Sequence, residues 1–294
     1  MARTRVHNKS TFEITGCKVD RIQIMAKESP KKALLVYFTM VGIGAAALAF
    51  CGSACADSQE PGATPFRPTV TSGAGLSAPG WLELEMGGQR QGGNGFDART
   101  SVPYLLKYGL NDRFALLLGG DGYVGISPAR GGADVTGRGD TATTLKYLAP
   151  DAIEGTSFGL EASVKFPTAS KGLGTGQSDY SLKGIYGLDL PGSFHLDTNL
   201  MGTRLGSVTA AQGLYQWTWA AAVSRAFAEK WTMAFDLSGT QQRGAASTAQ
   251  YLVAASYALN KRIVLDAGFS QGLNSDTPKY SAFGGMTVLI GKLH

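Results

Sequence analysis

From Gly80 onward, apolar and polar residues alternate one by one in segments of about ten residues, the pattern of a strand with two unlike faces. Leu82, Leu84 and Met86 oppose Glu83 and Glu85; Val102, Tyr104, Leu106 and Tyr108 oppose Ser101 and Lys107. Phe158, Leu160, Ala162 and Val164 oppose Glu161, Ser163 and Lys165, and Tyr215, Trp217 and Trp219 oppose Gln216 and Thr218. Twelve such segments follow one another, the last at 280–293, and none shows the period of an amphipathic helix. Tight turns are predicted at 110–113, 150–151, 190–193, 228–230 and 259–261. Longer Gly- and Ser-rich links are predicted at 92–98, 125–138, 167–178, 206–213, 242–248 and 273–279. Five short and six long connections supply the eleven that twelve strands need. Short turns alternating with longer loops predict an all-β fold, a single transmembrane antiparallel up-and-down β-barrel of about 12 strands over residues 80–294.

Other all-β readings fit less well. A propeller blade needs four short strands per repeat, and each repeat of about 40 residues holds two long ones. A soluble sandwich rarely carries aromatics at both ends of its apolar face. Here Tyr108, Tyr147, Tyr186, Trp231 and Tyr257 lie beside the short turns, and Trp81, Phe166, Tyr180, Tyr215 and Tyr280 are placed at the other end. Pro103 lies within the second segment and cannot donate to a ladder, so a bulge or a displaced boundary is expected there. The chain ends Gly-Lys-Leu-His rather than on the aromatic residue commoner in such barrels.

Charge on a lipid-facing position costs about 2–4 kcal/mol at mid-bilayer for Arg or Lys, so the polar face is expected to point inward. Leu116, Leu160, Phe194, Trp217, Phe235 and Leu265 then face lipid. The first strands contribute Glu83, Glu85, Arg99, Lys107, Arg113 and Asp121 as lumen-lining candidates. The middle strands contribute Asp140, Lys146, Glu161, Lys165, Asp179 and Lys183, and the later ones His195, Asp197, Asp236 and Asp266. These charges either fill the lumen as a paired network or line a hydrated path, and the two arrangements are compatible.

Composition changes the picture at the N-terminus. Residues 1–56 hold eight Lys/Arg against three Asp/Glu, whereas the rest of the chain holds 19 of each. The excess positive charge and all three Cys (Cys17, Cys51, Cys55) therefore sit in a leader, which excludes a basic nucleic-acid groove as the main theme. From Met25, the expected start, Lys27, Lys31 and Lys32 precede an uncharged run at 33–50 and the small-x-small site Ala54-Cys55-Ala56. The run reaches the lower limit for a membrane-spanning helix. The break at Gly52-Ser53 and the site ending at Ala56 favour a signal peptide cleaved after Ala56. Residues 57–79, rich in Pro and small residues, are expected to form an extended periplasmic tail. The body holds 36 Gly in 238 residues, about twice the usual share.

Little catalytic chemistry is legible. Beyond the leader only His195 and His294 remain as histidines. His195 follows a short turn beside Asp197, where a hydrogen-bonded role fits better than catalysis. The stretch Gly172-Leu173-Gly174-Thr175-Gly176 imitates a phosphate loop but precedes a strand instead of a helix. Asp134, Asp140 and Asp276 lack the spacing of a calcium loop. No catalytic residue, cofactor or metal is assigned, and no nucleic acid is expected as partner; the oligomeric state stays open.

Four stretches carry a family resemblance: RPTVTSGAGLSAPGWLELEMG, GRGDTATTLKY, SVKFPTASKGLGTGQSDYSLKGIY and SYALNKRIVLDAGFSQGLN. From about Arg67 to the C-terminus the chain resembles the outer-membrane transporters of the meta-pathway phenol-degradation family, a group of channel-like barrels. The resemblance implies a Gram-negative outer-membrane location, a lipid surround, and passive passage of small solutes, aromatic or hydrophobic compounds among them. It identifies no substrate. The alternative is a closed barrel serving as a structural or surface component, with loops 125–138 and 167–178 as its contact surface.

Overall fold

A computed structural model describes residues 60–93, 96–129, 132–150 and 153–293. The expected start, signal peptide and cleavage site lie outside the described residues. Twelve long strands form the wall. They are β1 (Trp81–Gly93), β2 (Phe96–Gly109) and β3 (Phe114–Pro128), then, after the three-residue β4 (Val135–Gly137), β5 (Thr141–Leu148), β6 (Thr156–Phe166) and β7 (Asp179–Leu190). The remainder are β8 (Phe194–Arg204), β9 (Tyr215–Ala228), β10 (Trp231–Gln242), β11 (Thr248–Asn260), β12 (Ile263–Gly272) and β13 (Tyr280–Lys292). Each pairs antiparallel with its neighbours, β3 pairing directly with β5, while β1 pairs with both β2 and β13 and β2 with β3. The ring is therefore closed and has no free edge, the condition for a sheet to cross a membrane. Short β4 pairs with Val124–Ile126 of β3 as an outlying ribbon.

Alternation sorts the side chains as the period-two pattern requires. Leu116, Leu160, Phe194, Trp217, Phe235 and Leu265 are exposed on the outer surface, while Ala115, Leu117, Lys146 and Asp236 are buried within. At Pro103 the β2–β3 register slips, Val102 facing Tyr123 and Pro103 facing Asp121. Gly122 on β3 is the unopposed residue, so the expected bulge lies on the partner strand.

One end of the barrel carries the short turns and a belt of tilted ring pairs. Phe114–Tyr147, Phe158–Tyr186 and Trp231–Tyr257 have centroids 5.1, 5.0 and 4.8 Å apart. At the other end Phe166, Tyr180, Tyr215 and Tyr280 are exposed. Trp81 belongs to the short-turn end, opposite Lys292, and not with these four as the sequence suggested. The chain enters the wall from the side of the short turns, so the first residue of β1 lies there. The 92–98 link also differs: the strands run on to Gly93 and from Phe96, making a long hairpin.

Candidate functional site

A barrel of eight strands is about filled by its own side chains, and a wider one is not. Here the space is taken by residues 60–79. The segment lies inside the ring: Thr71, Ser72, Ala74 and Ser77 are buried.

The course of this tail follows from its polar contacts. At the short-turn mouth Glu60 accepts from Arg262 at 2.9 Å, and the Ala63 amide donates to the Lys261 carbonyl at 2.8 Å. Glu83 and Glu85 on β1 then accept the amides of Thr64 and Phe66. Both carboxylates also pair with Lys107, at 2.8 and 2.6 Å, and all three side chains are buried. Extended backbone without a partner strand leaves its N–H groups unpaired, and inward-facing carboxylates answer them. Two ammonium groups lie over the Phe66 ring, Lys107 at 4.2 Å and Lys146 at 3.7 Å from its centroid.

Arg67 reaches along the wall past β1 and β13 and holds Asp266 on β12 through Nε and Nη2, the shortest contact 2.8 Å. Gly87 and Gly285 make room for the guanidinium, because a Cβ at either would lie within 3 Å of it. Beyond Arg67 the tail turns back. Thr71 donates its amide and hydroxyl to Asp236 at 2.8 and 2.6 Å. Ser72 and Asn199 exchange two hydrogen bonds, at 2.7 and 2.9 Å. Lys183 donates to the Ser72 hydroxyl, and Lys146 to the Gly73 carbonyl. The tail then returns to the short-turn end, where Pro79 bridges Gly109 and β1 begins.

Of the lumen-lining candidates, eight touch the tail or bind a residue that does: Glu83, Glu85, Lys107, Lys146, Glu161, Lys183, Asp236 and Asp266. Glu161 acts indirectly, bridging Lys146 at 3.3 Å and Lys183 at 2.7 Å. Asp197 pairs with His195 at 3.3 Å, and His195 also meets Asp189 at 2.6 Å. A second group lies toward the long loops, where Arg99 meets Asp121 and Lys165 bridges Asp140 and Asp179. Arg113 is the exception and a correction. It sits exposed in the turn that Asn111 caps, one position before β3, where parity along the strand no longer sets direction. Arg67, Thr71, Ser72 and Asn199 were missed. Arg67 is the sole charge between residues 61 and 79, a signal that could have marked it.

Cavities of about 310, 240 and 170 Å³ lie between tail and wall. The carboxylates converge on cations and backbone amides, and among the described residues no grouping of His, Cys, Asp and Glu could hold a metal ion.

A closed ring with an apolar outer surface between two aromatic belts defines an outer-membrane β-barrel, and this one encloses its own N-terminal segment. The chain belongs to the family described as "Putative MetA-pathway of phenol degradation", whose model matches residues 64–290. The matched region thus opens inside the tail, not at the first strand. No curated protein sequence matches the chain. Among solved structures, the COG4313 outer membrane channel from Pseudomonas putida F1 is similar at TM-score 0.56 and 18% identity, over 80% of this chain and 99% of that one. The KdgM porin is similar at TM-score 0.49 and 10% identity, over 70% and 98% of the two chains. At these identities the likeness concerns the fold.

Proposed function

We propose that the protein is an outer-membrane channel for passive diffusion of small solutes, with the tail at 60–79 as its internal constriction. The observation that carries this reading is the nature of the filling. A barrel built only as a scaffold is filled by side chains of its wall, whereas here a separate polar segment occupies the lumen through hydrogen bonds and ion pairs and leaves cavities beside it. Selectivity then comes from the width beside the tail and from the charges that remain unpaired. The family's link to phenol degradation supports small aromatic compounds among the solutes.

The clamp around Phe66 favours a second reading, a closed barrel without transport, because Lys107, Glu83 and Glu85 there are shut off from water. Reconstitution in planar bilayers separates the two. Stepwise conductance that grows when residues 60–78 are deleted is the result expected of a channel. Silence of both forms, with the heat-modifiable migration of a folded barrel intact, establishes the closed scaffold.

A further inference from the structure

The wall around the tail is of two kinds. On β1, β2 and β5–β7 it is charged and clamps the tail, with Lys107 and Lys146 buried against the Phe66 ring. The 310 Å³ cavity on that side is lined by Phe66, Glu85, Glu161 and Lys183, residues of the clamp and of the ion pairs beside it. Along β9–β11 the inward positions are small and mostly uncharged, and among the described residues the tail's hydrogen bonds to this arc are those of Thr71 with Asp236.

That contact separates the two other cavities. Inward positions on β10 run Thr232, Ala234, Asp236, Ser238, Thr240 from the short-turn end upward. The first two line the 240 Å³ cavity, the last two line the 170 Å³ cavity, and Asp236 lies between them. The neighbouring strand repeats the order, with Ser224 and Ala222 below and Thr218 above. Asp236 is fully buried, and its Oδ1 has no hydrogen-bond partner. A buried carboxylate oxygen without a donor is costly and needs an explanation. A passing molecule with a donor supplies one.

We propose that the β9–β11 arc is a permeation route for small uncharged solutes bearing a hydroxyl or N–H donor, and that Thr71 and Asp236 form its latch. This rests on the channel reading. The solute donates to Oδ1, competes with Thr71 for the carboxylate, and moves from one hydroxyl-lined cavity to the next. The tail stays clamped on its charged side meanwhile. Anions are turned back by a carboxylate that no described cation neutralises.

The test fills one side after the barrel has folded. Ala222→Cys and Thr144→Cys, each in a chain carrying Cys17→Ser, Cys51→Ser and Cys55→Ser, are labelled with an uncharged benzyl methanethiosulfonate, the extent being read by mass. Polyol uptake into liposomes is then measured. Labelling at Ala222→Cys is expected to slow uptake about tenfold, equivalent to ~1.4 kcal/mol of added barrier, while labelling at Thr144→Cys, in the larger cavity, leaves it unchanged. Thr71→Val speeds uptake by removing one latch donor. A block from Thr144→Cys without one from Ala222→Cys overturns the route, as does failure of Ala222→Cys to react. Should the unaltered protein show no stepwise conductance, the channel reading falls and the route with it; conductance without polyol uptake, or uptake indifferent to the Ala222 label, sinks the route alone.

Discussion

Arg67 and Asp266 lie 199 residues apart in the chain and meet at 2.8 Å inside the lumen. The pair joins the tail to β12, two strands along the wall from the β1 carboxylates that hold its backbone. It therefore anchors the tail's one cationic side chain to the β1–β13–β12 arc, and its two glycine neighbours on β1 and β13 keep the position free. The same contact gives the first prediction.

Arg67→Met leaves the Asp266 carboxylate buried without its cation. Breaking such a pair costs about 3 kcal/mol here, the low end of the range for buried pairs, because Arg67 keeps some contact with water. Protease added from the short-turn side should cut the tail faster by about a hundredfold, the factor that this energy sets. Thermal unfolding of the barrel wall should stay as in the parent protein.

Deleting residues 60–78 removes the filling while leaving all wall strands and their ladders in place. The clamp residues Glu83, Glu85 and Lys107 then meet water and keep one another as partners. Single-channel recording should show a conductance several times that of the intact protein. An unchanged conductance would place the constriction elsewhere.

Leu200 lies near the middle of β8 on the outer surface, in the same row as Leu160 and Gly184. Leu200→Arg should destabilise the barrel in liposomes by about 2–4 kcal/mol, the cost of Arg at mid-bilayer. Guanidinium titration measures it. Thr198→Arg, closer to the belt of rings at the short turns, should cost less.

The inward charges comprise Arg67, Arg99, Lys107, Lys146, Lys165 and Lys183 against nine carboxylates, and no described cation pairs with Asp236. Residual negative charge in a pore with low-dielectric walls attracts cations. Reversal potentials in a KCl gradient should show weak cation preference, fading as the screening length falls from about 10 Å at 0.1 M to about 3 Å at 1 M salt. Asp236→Asn should weaken that preference most. Anion preference at low salt contradicts the assignment of these charges to the conducting space.

The wall was legible because period two is a property of the backbone, and every charged residue that had to avoid lipid declared its strand's inner face. Pro103 was legible for the same reason: a missing donor must break the ladder nearby. The path of the tail was not. Its partners are backbone amides and carbonyls, which every residue carries and no pattern marks, so Glu83 and Asp236 read as lumen charges without revealing what they hold. Asn199 and Ser72, uncharged and small, gave no sign of pairing with each other. Arg113 was misplaced because the alternation was carried one residue past the strand, and Trp81 because the end at which the first strand begins is set by topology.

Glu60 and Pro79 both lie at the short-turn mouth, so the tail is a loop of rope pushed in and brought out through one opening. Force applied to residue 60 from that side loads the Glu60–Arg262 contact first, then the Ala63 amide, then Glu83 and Glu85, and only afterwards Asp266 and Asp236. The contacts are taken one at a time, like a zip, and never all together in shear. A modest pull can therefore withdraw the strand while the ring that surrounds it keeps its shape.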